Sequence, residues 1–209
     1  MEASEQKTQR RYSPEVRRSM ILDTAAEMIS SEGISTLSME RIAENADISK
    51  SLVYKYFDSL TELLRTLLRR ELRALRLLQL AAAERAETFE ELVRNVTHEY
   101  LKYIDERGLI IERLQADPAI SDVHDPTGYN RRGAVEYLAD IVVNHFELPV
   151  DLARAITDIS FGLPASAGEY LLRGEMSREE VEDLTVSMII GTFVAARNDY
   201  QTRRQKLKR

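Results

Sequence analysis

Between Asp47 and Asp58 the chain reads Ile48-Ser49-Lys50-Ser51-Leu52-Val53-Tyr54-Lys55-Tyr56-Phe57, a stretch with two lysines and no acid. On a helix the exposed side of such a segment carries Lys50, Ser51 and Lys55, and that side suits the edges of base pairs. Lys50 can donate to guanine O6 and N7, Ser51 can bond several bases, and Leu52 can meet a thymine methyl. The alternative is a solvated cationic face with aromatic anchors beneath it. For Phe57 the core role is preferred; for Lys50 and Tyr54 together, contact with nucleic acid is. Glu40 and Arg41, upstream, leave both readings open.

These side chains need a scaffold, and the local signals supply one. Ser13-Pro14 opens a helix, with Ser as N-cap, Pro in the first turn and Glu15 at the positive end of the helix dipole. Val16, Met20, Ile21, Ala25, Met28 and Ile29 then mark one buried face, and Gly33 supplies a left-handed cap. Ser38 caps a short helix over Met39 to Asn45, with Ile42 and Ala43 facing inward. Ser49 caps another that runs through Phe57, and only Ala46, Asp47 and Ile48 lie between. Two short helices joined by so tight a turn have helix-turn-helix geometry, in which the second helix enters the major groove.

Ile21, Leu22, Ala25, Ala26, Gly33, Ser38, Ile42-Ala43, Ala46, Ile48-Ser49, Val53-Tyr54-Lys55-Tyr56-Phe57, Ser59 and Leu63 occur in this order. Over residues 17–64 this pattern resembles the DNA-binding domain of the TetR family of transcription regulators. The resemblance implies that Ser38, Tyr54 and Tyr56 hold phosphates, and it adds Ser49 at the start of the reading helix. Two positions depart from the family pattern. Asp47 stands where a turn Gly is usual, and Asp tolerates left-handed backbone better than most residues. Leu60 stands where a phosphate-contacting Lys is common, which shifts the expected anchoring to the basic leader with Lys7, Arg10 and Arg11.

The charge distribution agrees. The 209 residues carry a net charge of -6, but residues 1–75 balance 12 Lys+Arg against 12 Asp+Glu, so the whole excess lies downstream, with 17 against 23. Basicity is therefore local, as an electrostatic footprint on DNA should be. No run approaches the roughly 18 apolar residues of a membrane span, and no secretory leader is legible, so a cytoplasmic location without membrane contact is expected. The absence of Cys excludes disulfides and thiolate chemistry.

Downstream, Asp58-Ser59 caps a long helix striped by Leu60, Leu63, Leu64, Leu67, Leu68, Leu72 and Leu75. Further helices are expected at about Phe89 to Asp105, Leu109 to Ala116, Arg131 to Phe146, Val150 to Leu172 and Arg178 to Gln205. Pro164 predicts a kink near Ser160 to Gly162, and Asp117 to Tyr129 reads as a loop. The expected fold is all-α: a small three-helix N-terminal helix-turn-helix domain joined by a long helix to a larger helical effector-binding and dimerisation domain. The boundaries are 1–13 for a flexible leader, 14–58 for the DNA-binding domain, 59–87 for the linking helix and 88–209 for the rest.

One reading helix buries too little surface for tight specific binding, so a dimer is expected. The small residues Gly162, Ala165, Ser166, Gly191, Thr192 and Ala195 allow the last helices to approach a partner closely, and Ser177 with Glu180 forms a capping box. In the resembling family this helix pair makes a four-helix dimer bundle. Phe89, Tyr100, Tyr103, Tyr137, Phe146 and Phe161 are candidates to line an apolar cavity, with ordinary core packing as the alternative.

The resemblance implies a small-molecule effector that weakens DNA binding. The stretch Arg107 to Glu112 looks like members that respond to fatty acyl compounds, although a drug-like inducer would leave the same signature. His98, His124 and His145 lack metal-ligand spacing, and no cofactor is expected. No catalytic triad order, phosphate loop or carboxylate pair stands out, which argues against an enzyme. The expectation is a homodimeric repressor on a palindromic operator. The alternative is an architectural or partner-controlled DNA-binding protein without a ligand.

Overall fold

A computed structural model describes residues 12–120 and 131–207. The expected leader with Lys7, Arg10 and Arg11, most of the 117–129 loop, and His124 lie outside the described residues. Every regular element among them is helical: α1 (Pro14–Glu32), α2 (Met39–Asn45), α3 (Lys50–Tyr56), α4 (Leu60–Glu84), α5 (Phe89–Gln115), α6 (Arg131–Phe146), α7 (Val150–Ser160), α8 (Leu163–Leu171) and α9 (Arg178–Lys206). None of these helices is long and apolar enough to cross a membrane.

The caps form as the residues dictate. Ser13, Ser38, Ser49 and Ser59 each accept a hydrogen bond from the backbone N–H three residues on. The box between Ser177 and Glu180 closes in both directions, and a second box, Thr88 with Glu91, opens α5. Gly33 ends α1 with φ 89° and ψ 171°, so its φ is positive but its conformation is extended rather than left-handed helical. That region is essentially closed to residues with a Cβ. Asp47 adopts the left-handed φ of 51° in the turn between α2 and α3, and the next N–H, that of Ile48, donates to the Ala43 carbonyl at 3.0 Å.

Three expectations about elements are corrected. The predicted break between Asp105 and Leu109 is absent: α5 runs straight through Gly108, which lies under Ile104 and Leu172, where a larger residue would collide with Ile104. The predicted helix from Val150 to Leu172 is two helices, because Phe161 and Gly162 turn the chain. Pro164 then falls in the first turn of α8, where its missing N–H costs no helical bond. Val16 is exposed, because the core contacts of α1 begin only at Ile21.

The largest core cluster holds Ile21, Ile29, Ile42, Val53 and Phe57 against Leu63, Leu67 and Leu68 of α4 and Ile110, Ile111 and Leu114 of α5. Each such fully buried side chain contributes about 1.5 to 3 kcal/mol. The first half of α4 and the second half of α5 therefore form the floor on which α1, α2 and α3 stand. A second cluster of Phe89, Val142, Phe146, Ile189 and Phe193 joins α5, α6 and α9 farther along.

Candidate DNA-reading face and internal cavity

Helix α3 buries Val53 completely and leaves Ser49, Lys50, Ser51, Tyr54 and Lys55 exposed, with Leu52 and Tyr56 partly covered. Phe57, which follows α3, is buried beneath the Arg18 guanidinium, 4.8 Å from the ring centre. The exposed side chains are not equally free. Lys50 forms an ion pair with Glu40 of α2 and sits 5.7 Å from the Tyr54 ring centre. The hydrogen bond to Lys50 is the main reason that the Glu40 carboxyl titrates below its ordinary value, and the same bond raises the Lys50 ammonium.

Ser49 and Ser51 hydroxyls lie 3.1 Å apart and share a hydrogen bond, while Ser38 accepts from the Arg41 N–H at 3.1 Å. Arg41 itself is committed to structure. Its guanidinium donates to the Thr36 carbonyl at 2.9 Å and to Glu32 at 2.8 Å, tying α2 to the end of α1. The sequence window 48–57 contains no acid, yet the fold brings one from α2 to its first lysine.

Behind this face polar ties from Arg113 and Arg70 join α1 to α5 and α4. Arg113 of α5 donates to the Ile29 carbonyl and, at 3.0 Å, to that of Ser30. It supplies the cation that the last turn of α1 lacks. Arg70 of α4 reaches Asp23 at 2.6 Å. Beside it Glu71, only 2% exposed, accepts from Arg107, from Arg70 and from the Tyr103 hydroxyl at 2.9 Å. Burial alone would push the Glu71 carboxyl up, but the bonds from Arg107 and Tyr103 and the charges of Arg107 and Arg70 together hold it below the ordinary value. Burial, reinforced by that carboxylate, pushes the Tyr103 phenol up. The signal for this node is present in the sequence as the one acid between Leu63 and Leu80 of α4.

Beyond Glu71, α4 becomes one wall of a cavity of about 480 Å³. Leu72, Leu75, Arg76 and Gln79 face it from α4, Phe89, Thr97 and Tyr100 from α5, Tyr137 from α6, and Thr157 and Ser160 from α7. Phe161 and Pro164 border it where α7 gives way to α8. Of the six candidates, Phe89, Tyr100, Tyr137 and Phe161 line this space and two do not. Tyr103 is turned away to Glu71 by its hydroxyl bond, and Phe146 packs behind Phe89 and Phe193, with ring centres at 5.0 and 5.7 Å. Periodicity could not separate these cases, because all six sit at helical spacing.

Gly162 and Ala165, expected at a subunit contact, border the cavity, and Ala165 is also exposed. Ser166, Gly191, Thr192 and Ala195 are exposed, beside the exposed Leu184, Met188 and Val194. Of the histidines, His98 pairs with Glu182 at 2.9 Å and His145 stacks on Phe89. No group of acidic and histidine side chains suited to a metal occurs among the described residues.

Residues 21–67 match the family model described as "Bacterial regulatory proteins, tetR family". The N-terminal domain belongs to the TetR family. Solved structures extend the likeness over most of the chain. A TetR family transcription regulator from Marinobacter aquaeolei VT8 is 19% identical, with 85% of this chain and 95% of that one covered and a TM-score of 0.61. A TetR-like transcriptional regulator from Rhodococcus sp. RHA1 is 21% identical over 86% and 96%, with a TM-score of 0.63. The fatty acid degradation regulator FadR from Bacillus halodurans is 14% identical over 83% and 94%, with a TM-score of 0.62. At these identities the likeness shows the fold. No curated protein sequence matches the chain. The TetR-family helix-turn-helix followed by a helical C-terminal region makes this a DNA-binding transcription regulator.

Proposed function

We propose that the protein is an effector-released transcriptional repressor that occupies a palindromic operator as a homodimer. The observation that carries this reading is the continuity of α4. Its first half supplies Leu63, Leu67 and Leu68 to the core under α3, and its second half supplies Leu72, Leu75, Arg76 and Gln79 to the cavity. A ligand that displaces the cavity end of α4 thereby acts on the platform of the reading helix. Gating of this kind is a difference in ligand affinity between two states, and typical couplings are about 1 to 3 kcal/mol.

Lys50, Ser51, Leu52 and Lys55 are the base-facing residues of this reading, and Ser38, Ser49, Tyr54 and Tyr56 are the phosphate-facing ones. The partner subunit sits on the exposed face of α8 and α9, where Leu184, Met188, Gly191 and Ala195 form a stripe at helical spacing beside Ser166. The units are those set by sequence: a DNA-binding domain over 14–58, the linking helix over 59–87 and the ligand and dimer domain over 88–209. The mostly apolar lining suits a hydrophobic effector, acyl-like or drug-like. An architectural protein without a ligand would need no such cavity, and sites for small molecules begin at about 300 Å³.

The test is selection of bound DNA from a random pool, followed by a screen for compounds that release the recovered site. The reading requires a two-fold symmetric consensus and at least one releasing compound. An asymmetric consensus bound by a monomer overturns it.

A further inference from the structure

Two polar atoms on the cavity wall are out of keeping with the rest of the molecule. Thr157 and Ser160 are 4% and 6% exposed. Neither hydroxyl has a hydrogen-bond partner. They lie three residues apart on α7, on one helix face, and both line the cavity. A helical threonine can return its hydroxyl to the carbonyl four residues back. Thr24, Thr185, Thr192 and Thr202 all do so, at 3.0, 2.6, 2.7 and 2.8 Å. Thr157 does not. A buried hydroxyl left without a partner is unfavourable, and a ligand oxygen that reached it from the cavity would satisfy it.

The remaining wall tells what that group is. The surface is predominantly apolar, with Leu72, Leu75, Phe89 and Phe161 among its contributors. Arg76 of α4 is the one charged side chain among the described lining residues, with Nη1 donating to Gln79 at 3.4 Å, and no carboxylate is among them. A lipophilic ammonium would enter an apolar cavity with no carboxylate among the described lining residues to receive it, which is costly. An oxygen acceptor that carries no positive charge meets two waiting donors.

We propose that Thr157 and Ser160 form a head-group subsite, which takes the carboxyl or carbonyl oxygens of an otherwise apolar, neutral or anionic ligand. The proposal rests on the reading of this cavity as the effector site. It goes beyond that reading in assigning the two residues and in excluding cationic lipophiles.

The test is a displacement titration on the full chain, with aminoanthracene as a neutral fluorescent occupant and with laurate and lauryltrimethylammonium as competitors below their micellar concentrations. Aminoanthracene enters wild type and the near-isosteric Thr157→Val/Ser160→Ala variant equally. Laurate displaces it from wild type at a concentration about tenfold lower than from the variant, the loss expected when hydrogen bonds to a charged head are removed. The ammonium competes at least about tenfold more weakly than laurate on wild type. Ser160→Ala alone, which removes only one oxygen, shows a smaller loss in the same direction and serves if the double variant does not fold.

Equal displacement by laurate from wild type and variants, or by laurate and the ammonium from wild type, overturns the head-group assignment while the cavity reading stands. A different result separates the two claims. If aminoanthracene does not bind, or binds equally to a variant in which Leu138, a lining residue of α6, is enlarged to fill the cavity (Leu138→Trp), the cavity reading itself is wrong and the subsite falls with it.

Discussion

Arg107 grips Glu71 through two parallel hydrogen bonds, Nε to Oε2 at 2.6 Å and Nη2 to Oε1 at 2.8 Å. This buried carboxylate sits on α4 between the leucines that support α3 and those that face the cavity. Arg70 extends the node to Asp23 of α1. The pair therefore fixes α4, α5 and α1 at the point where a displacement of the cavity wall would have to pass.

Glu71→Gln keeps the shape of the side chain and removes its charge, leaving Arg107 without its carboxylate while Arg70 keeps Asp23. Arg107 is partly exposed and can rehydrate, so the cost falls at the low end for a broken buried pair, about 3 kcal/mol in chemical denaturation at neutral pH. The variant also changes the response to acid. Because the Glu71 carboxyl is held below its ordinary value in the folded protein, its stabilisation is fully present above that ordinary value. It is lost as pH falls from there through the depressed value. Wild type thus loses stability in this acidic window more steeply than the variant. Parallel pH profiles for the two would remove Glu71 from this role.

Gly33→Ala tests a purely backbone effect. A Cβ at Gly33 would meet nothing within 4 Å, but φ is 89°. The expected loss is about 1 to 3 kcal/mol, with operator preference unchanged in the folded fraction. A thermal melt that coincides with wild type would show that the end of α1 relaxes without strain.

Glu40 restrains Lys50. Glu40→Gln should tighten binding to all duplexes severalfold and steepen the salt dependence, because a cation no longer shares its charge with an acid. Lys50→Ala should alter the ranking of operator variants, whereas Tyr54→Phe should weaken them about equally. These outcomes are read by binding titrations over a panel of single-base substitutions at several salt concentrations. A uniform loss for Lys50→Ala would reassign it to phosphate.

The exposed stripe of α9 predicts oligomeric state. Met188→Glu places a charge among Leu184, Gly191 and Ala195, and should shift sedimentation from dimer toward monomer with loss of operator binding of at least about tenfold. A variant that remains dimeric would move the subunit contact to another face.

The sequence made the reading helix legible because each of its signals is local. Ser49 caps it, Val53 and Phe57 face inward, and Asp47 tolerates the turn. The helix boundaries at Ser13, Ser59 and Ser177 were legible for the same reason. What was not legible depends on distant partners. Glu40 meets Lys50 only when α2 and α3 fold together, and Arg41 is drawn away to Glu32. Tyr103 leaves the cavity for Glu71, although its spacing matches that of Tyr100, which stays. The break expected between Asp105 and Leu109 is absent because Gly108 stays helical and leaves room for Ile104 and Leu172 beside α5. Thr157 and Ser160 carried no sequence signal, since a hydroxyl on a helix is unremarkable until its usual carbonyl partner is seen to be unused.

The central claim is that cavity occupancy governs DNA reading through α4. It is tested most directly by the anisotropy of labelled operator, at fixed protein concentration and fixed salt, as the releasing compound found by the screen is titrated. The account predicts that operator affinity falls by a factor of about 5 to 150 as the cavity fills. It also predicts that the fall disappears in Leu138→Trp, where the cavity is occupied by the protein itself. A compound that binds the cavity and leaves operator affinity unchanged would contradict the account.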